Sequence, residues 1–260
     1  MHANAGCDLV ALCHQTEEHF FAAICQAHRR YGACLNAYFT DEHFDPFSLL
    51  FIRVGSTSSD ELPTALLDLI RRTVQEIRIV IHGEKVKGLS AVLTALGFQP
   101  AEKSTAMAFE LSNLAPWVND SDVQINLTRT MNDWTESFAS AFLKPAEIVA
   151  GYQARHQRAL EAGQGLYHFT LADEGQVRCS LTLSLCDGEA RLNDVGTLMG
   201  FRGRGYATRL IHAALLFASS LGAKRCFLEA SVEGFSVYQK LGFECLFDYQ
   251  SFTRGLLAVA

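Results

Sequence analysis

Two stretches of this chain end alike, and that echo limits what it can fold into. A helical stretch, Gly88 to Ala95, closes on Leu96-Gly97-Phe98 and is followed by the strand-like segment Ala106 to Leu111. A second, Gly234 to Lys240, closes on Leu241-Gly242-Phe243 and is followed by Leu246 to Phe252. The copies lie 145 residues apart, too far for a solenoid repeat, so the spacing predicts two halves of one architecture. Between them Asn113, Pro116, Asn119, Asp120 and Ser121 cluster as a linker would. The expected domains are therefore residues 1–115 and 122–260.

Composition narrows the class further. A chain of 260 residues that is 49% hydrophobic can bury two small cores or one larger one, and it is too apolar to stay disordered. No apolar run approaches the roughly 20 residues that cross a bilayer. The formal net charge of −6 argues against a broad phosphate-neutralising surface, so neither nucleic acid nor a membrane is an expected partner. None of the eight cysteines forms a C-x-x-C pair, which removes the zinc-ribbon and thioredoxin readings. Cys179 and Cys226 sit inside apolar strand-like runs as small hydrophobes. The stretch Met1 to Val10 lacks a basic leader, so a cytoplasmic protein with reduced thiols is expected.

The second half has the clearer pattern. Val123, Ile125 and Leu127 alternate with polar residues as in a half-buried strand, and helices are expected over Met131 to Leu143 and Pro145 to Ala162. Leu166 to Leu171 and Val177 to Leu185 read as strands around Asp173-Glu174-Gly175. Asp187-Gly188 predicts a hairpin, so Glu189 to Met199 should return antiparallel. After Gly205, apolar residues at Ala207, Leu210, Ile211, Ala214, Leu215 and Ala218 keep helical spacing. A short strand, Cys226 to Ala230, precedes the last helix and strand. The order is an antiparallel meander feeding strand-helix-strand-helix-strand, an α+β chain. In the first half, Phe47 to Val54 and Ile77 to Ile81 read as strands and Leu62 to Val74 as a helix. The first forty-odd residues read as mostly helical.

Chemistry concentrates at Phe201-Arg202-Gly203-Arg204-Gly205-Tyr206-Ala207-Thr208, between an apolar strand and an amphipathic helix. Amides at a helix start have no partner within the helix, and together with the helix dipole they suit a pyrophosphate. Gly203 and Gly205 allow close backbone approach, and Arg202 and Arg204 add positive charge. Glycines before a helix can equally make only a tight turn. A Rossmann turn would need a parallel βαβ unit around it, and here a meander precedes the strand. The second element is Leu228-Glu229-Ala230-Ser231, then Phe235 to Phe243 with Tyr238 just ahead of Leu241-Gly242-Phe243.

The two elements together resemble the Gcn5-related N-acetyltransferase (GNAT) family. Arg202-x-x-Gly205-x-Ala207 is similar to its motif A, and the tyrosine with Leu-Gly-Phe is similar to its motif B. The resemblance covers about Val123 to Thr253. It implies the acyl-CoA N-acyltransferase fold, a mixed and mostly antiparallel sheet flanked by helices, with residues 1–115 a degenerate copy as in tandem members. It also implies that the strands at Glu189 to Met199 and Cys226 to Ala230 splay, letting the pantetheine arm of acetyl-CoA lie along Val195, Gly196 and Thr197. Amides from Gly203 to Thr208 would hold the pyrophosphate. Tyr238 matches the tyrosine that protonates the departing thiolate, and Ser231 stands where many members carry a cofactor-contacting asparagine.

A general base is expected near the gap. Glu189, Asp194, Glu229 and His168 are candidates by strand position, with Asp194 preferred. No metal and no covalent intermediate is implied. Leu93 stands opposite Tyr238 in the first copy, and the turn from Gly55 to Glu61 lacks the Arg-x-x-Gly-x-Ala pattern. That half is expected to bind no CoA and to wall the acceptor site, with Asp41, Glu42 and Asp45 offering negative charge to an amine. The expected activity is transfer of an acetyl group to a primary amine of a small molecule. The alternatives are an acyl-CoA-sensing module without turnover and a protein or peptide acetyltransferase.

Overall fold

The computed structural model describes residues 2–40, 48–57, 61–116, 122–143 and 145–256. In chain order the elements are α1 (His2–Ile24), β1 (Ala27–Gly32), β2 (Leu35–Phe39), β3 (Leu49–Val54), α2 (Thr64–Arg72), β4 (Ile77–His82), α3 (Gly83–Ala95) and β5 (Gln99–Glu110). The second half adds β6 (Val123–Thr128), α4 (Met131–Phe142), α5 (Ala146–Glu161), β7 (Leu166–Asp173), β8 (Gln176–Cys186), β9 (Glu189–Thr197), α6 (Tyr206–Ser220), β10 (Arg225–Ser231), α7 (Phe235–Lys240) and β11 (Glu244–Arg254). No helix among the described residues is long and apolar enough to cross a membrane.

The repeated Leu-Gly-Phe has a local cause. In each copy glycine takes a left-handed conformation, with φ of 85° at Gly97 and 95° at Gly242. The amide of Phe98 donates to the carbonyl of Leu93, and the amide of Phe243 donates to the carbonyl of Tyr238, both at 3.0 Å. These are Schellman caps, in which glycine satisfies the last helical carbonyls and the next residue packs back on the helix. The ring of Phe243 accordingly meets that of Tyr238 edge-on at 5.9 Å. Because α5 and α6 end in the same way at Gly163 and Gly222, the cap alone does not define a repeat. Strand order does.

The chain forms two compact units that interleave along the sequence. The first comprises Met1–Phe20, Met107–Glu229 and Ser236–Glu244; the second comprises Phe21–Ala106, Ala230–Phe235 and Cys245–Ala260. This differs from the division at 115 and 122 read from the sequence. The first twenty residues group with the second copy, β11 groups largely with the first, and β5 is divided, its end from Met107 grouping with the second copy. The linker residues Asn119, Asp120 and Ser121 lie outside the described residues, as do Asp41, Glu42 and Asp45.

In the first unit β6, β7, β8 and β9 form an antiparallel meander, β10 runs parallel to β9, and the end of β5 lies beside β10. Its two tight hairpins turn on Glu174-Gly175 and Asp187-Gly188. All four residues have positive φ, the twist that joins right-twisted strands without splaying them. In the second unit β1, β2 and β3 are antiparallel, β4 runs parallel to β3, and β11 from the chain's end pairs antiparallel with β4, Tyr249 opposite His82. Its core gathers Ile52, Leu66, Ile70, Ile79, Leu89 and Leu93. Leu93 is fully buried there, in the place Tyr238 takes in the other copy.

Two expectations change. The helical reading of the first forty residues holds only to Ile24, since the hairpin of β1 and β2 follows. All five residues of β2 are buried, so it shows no alternation to mark it as a strand. Helix α2 starts at Thr64, with Pro63 before it, and ends at Arg72, shorter than the Leu62 to Val74 read from the sequence.

Candidate active site

The parallel pair of the first unit opens into a fork. β9 and β10 pair only at Ala190 with Cys226 and Arg191 with Phe227, although β9 continues to Thr197 and β10 to Ser231. A bulge accounts for the divergence. Ser180 faces Gly196 and Thr182 faces Asn193, so Asp194 and Val195 together oppose the single residue Leu181. Asp194 takes the extra turn with φ of 56°, rare for a residue with a side chain, and such a bulge bends its strand away from a neighbour. Beyond Arg191 the edge of β9 that includes Val195, Gly196 and Thr197 has no β10 ladder, while Gly196 and Thr197 keep their pairing to β8. A side chain at Gly196 would strike the carbonyl oxygen of Ser137 at 2.9 Å, so glycine lets α4 pack directly on β9 there. The second unit has no such fork, because β3 stays paired with β4 to its last residue, Val54.

The glycine turn follows β9. Gly203 and Gly205 both have left-handed φ, 78° and 80°, and a Cβ built on either meets nothing within 4 Å. Gly205 is the N-cap of α6, and no side chain caps this helix. The first ladder bond runs from the amide of Arg209 to the carbonyl of Gly205, leaving the amides of Tyr206, Ala207 and Thr208 ahead of it. Side chains brace the turn from outside. Arg202 donates to the carbonyl of Ala141 at 3.0 Å, tying the turn to α4. The guanidinium groups of Arg178 and Arg204 lie over the Phe201 ring at 3.9 and 4.9 Å. The phenol of Tyr206 donates to the carboxylate of Asp173, so this residue offers the turn only its main chain.

Tyr238 lies on α7, 9% exposed, and its hydroxyl has no hydrogen-bond partner among the described residues. Burial, with Cys179 and Cys226 nearby, pushes its phenol above the ordinary range. Both thiols are fully buried, as their apolar runs predict, and burial raises that of Cys179 to about 12. Ser231 ends β10, where its hydroxyl accepts the amide of Gly234 at 3.1 Å.

The four base candidates separate. Glu189 is held by Arg225 through both carboxylate oxygens, which corrects its reading as a base. His168 is fully buried, its Nε2 2.8 Å from Nδ1 of His156, and burial lowers it to about 4. It is an interior group, not a strand-end base. Glu229 lies 4.0 Å from the buried guanidinium of Arg191, which also meets Glu17 at 3.7 Å. Asp194 stands three residues past the last β9–β10 pair and accepts from Tyr152 at 2.7 Å. Burial raises its carboxyl to about 6, against the opposing pull of the Tyr152 hydrogen bond and of Arg155 and Arg191. Sequence reasoning missed Tyr152 and His156, whose four-residue spacing on a largely polar helix was the available signal.

These shifts fix a pH dependence of stability. His156, lowered mainly by burial, and His168 stay neutral in the fold and protonate first in the unfolded chain, so their contributions are lost as pH falls from 6.5 toward 4. Asp194 acts oppositely, since the fold keeps its proton up to about 6 and the unfolded chain only to 3.8. Urea unfolding should therefore show stability falling from pH 7.5 to 4.5. The fall should be steeper by about 2 kcal/mol in Asp194→Asn, where the opposing carboxyl is gone. An equal slope in both proteins would contradict the shift at Asp194.

A meander that ends in a forked parallel pair above an uncapped, glycine-led helix start is the GNAT fold. Residues 128–243 match the model of the acetyltransferase (GNAT) family, so this segment is a GNAT domain. A GCN5-related N-acetyltransferase from Kribbella flavida superposes with a TM-score of 0.67 at 15% identity, covering 95% of each chain. One from Sphaerobacter thermophilus gives 0.61 at 12%, covering 88% of this chain and 78% of that one. A tandem GNAT protein from the clavulanic acid biosynthesis pathway gives 0.57 at 13%, covering 87% and 79%. No curated relative matches this sequence.

Proposed function

We propose that this protein transfers an acyl group, acetyl in the simplest case, from acyl-CoA to the primary amine of a small molecule. The observation that carries the reading is the fork between β9 and β10 opening ahead of the uncapped start of α6. In this reading the amides of Gly203, Arg204, Gly205, Tyr206, Ala207 and Thr208 hold the pyrophosphate, with Arg202 fixing the turn. Main-chain groups of Val195, Gly196 and Thr197 meet the pantetheine arm. The first copy supplies no second cofactor site, since its parallel pair stays closed and Leu93 replaces the tyrosine.

The amine nitrogen attacks the thioester carbonyl and the carbon–sulfur bond breaks. Asp194 takes the proton that the ammonium must lose, and Tyr238 gives one to the leaving sulfur. A carboxyl near 6 is ionised at neutral pH yet basic enough to help, so kcat/KM should rise through about pH 6. Release of free thiol from acetyl-CoA, measured with small primary amines and with lysine peptides, tests the proposal. Turnover only with peptides would make it a peptide acetyltransferase. Calorimetric binding of acetyl-CoA with no turnover on any amine would make it a sensor.

A further inference from the structure

A second set of titratable groups lies behind the proposed base. His156 and His168 are fully buried, packed against Trp134 at 4.7 and 5.2 Å between ring centroids. Phe20 of α1 closes over His156 at 6.0 Å. Tyr152 and His156 stand one turn apart on α5 and reach the two oxygens of one carboxylate. The Tyr152 hydroxyl is 2.7 Å from Oδ1 of Asp194, and Nε2 of His156 is 3.7 Å from Oδ2. Behind His156, its Nδ1 meets Nε2 of His168 at 2.8 Å.

The geometry points to His156 and His168 as a positioning pair that orients the Asp194 carboxylate: His168 donates through Nε2–H to Nδ1 of His156, leaving His156 with its own proton on Nε2, aimed at Asp194. Each neutral imidazole carries one proton, so the 2.8 Å contact allows two arrangements. In the other, His156 donates to His168. That would turn a bare Nε2 lone pair toward a carboxylate and bury an N–H at Nδ1 of His168, which has no partner among the described residues. A buried donor without a partner is costly, and so is a lone pair facing an anion. The first arrangement leaves an unused acceptor at Nδ1 of His168 and an Nε2–H of His156 that stands 3.7 Å from Oδ2 of Asp194, too long for a hydrogen bond but facing the negative charge that attracts it.

The pair has a task because Asp194 sits on a bulge, where regular strand geometry no longer fixes its side chain. Other groups acting on this carboxyl are Tyr152 and Arg155 from α5, Thr182 from β8 and Arg191 from β9, while α4 presents Trp134 to the imidazoles. Of these, only the imidazole pair transmits a choice of tautomer.

The role rests on Asp194 being the base of the proposed transfer, but its test does not need acyl-CoA. Nitrogen-15 correlation spectra of the full chain should show both histidines neutral and protonated at Nε2 between pH 6 and 8. The carboxyl carbon of Asp194 should titrate near 6 in the wild type. That midpoint should rise by about half a unit in His156→Phe and His168→Phe, because a donor favours the charged form. In His168→Gln, whose amide can donate to Nδ1, it should return. An Nδ1–H tautomer of His156 in the wild type, or an unmoved midpoint in both Phe variants, would overturn the assignment. Should the Phe variants not fold, the wild-type tautomer decides. A moved midpoint with no turnover on any amine would keep the pair and discard the acyl transfer.

Discussion

Replacing Gly205 by glutamate is expected to abolish acetyl-CoA binding while the protein stays folded. Space is not the reason, since a Cβ at this position meets nothing within 4 Å. Two other costs apply. The φ of 80° is left-handed, which costs a residue with a side chain roughly 1–2 kcal/mol of folding stability. The second cost falls on the ligand. A carboxylate about 5 Å from one phosphate charge, at an effective dielectric of about 20, repels it by about 3 kcal/mol, or a factor of about 10². Gly205→Ala separates the two, because it carries the strain without the charge. Calorimetry should give the alanine variant near-wild-type affinity and the glutamate variant no measurable binding. Both should lose similar stability in urea. Equal affinities for the two variants would remove the pyrophosphate from this turn.

Tyr238→Phe should lower kcat by about 10²-fold and leave acetyl-CoA affinity unchanged. The ring's edge-on contact with Phe243 survives the change, and the hydroxyl that is lost bonds no described residue, so the fold should be retained. The effect belongs at the low end of acid catalysis for two reasons. Thiolate is already a good leaving group, and a phenol raised by burial is a reluctant acid at neutral pH. Thiol release under single-turnover conditions gives the number. A kcat within twofold of wild type would reduce Tyr238 to what its carbonyl already does, closing the cap of α7.

How far the site could be read in advance depends on what fixes each part. The turn at Gly203 and Gly205 was legible because left-handed backbone before an amphipathic helix nearly demands glycine. Tyr238 was legible through the cap that follows it, since Leu-Gly-Phe marks the helix end and so the residue's place on it. Asp194 was chosen for its position on the strand, but its setting was not legible. Its positive φ, its burial and its contact with Tyr152 arise from a bulge on β9, and no glycine announces that bulge. His156 escaped for a related reason. A histidine on a largely polar helix looks solvated until β7 brings His168 beneath it. Glu189 failed as a base because Arg225, thirty-six positions on, claims both of its oxygens.

The sequence by itself determined the local pieces: the meander, the two positive-φ hairpins, the caps at Gly97 and Gly242, and the start of α6. Each is set by the conformational limits of a few consecutive residues. The tertiary structure alone decided that β9 and β10 part after Arg191, that β11 pairs with β4, and that the first twenty residues group with the second copy. These are pairings between residues far apart in the chain. They are chosen by which surfaces can be buried together, and no short stretch of sequence carries that information.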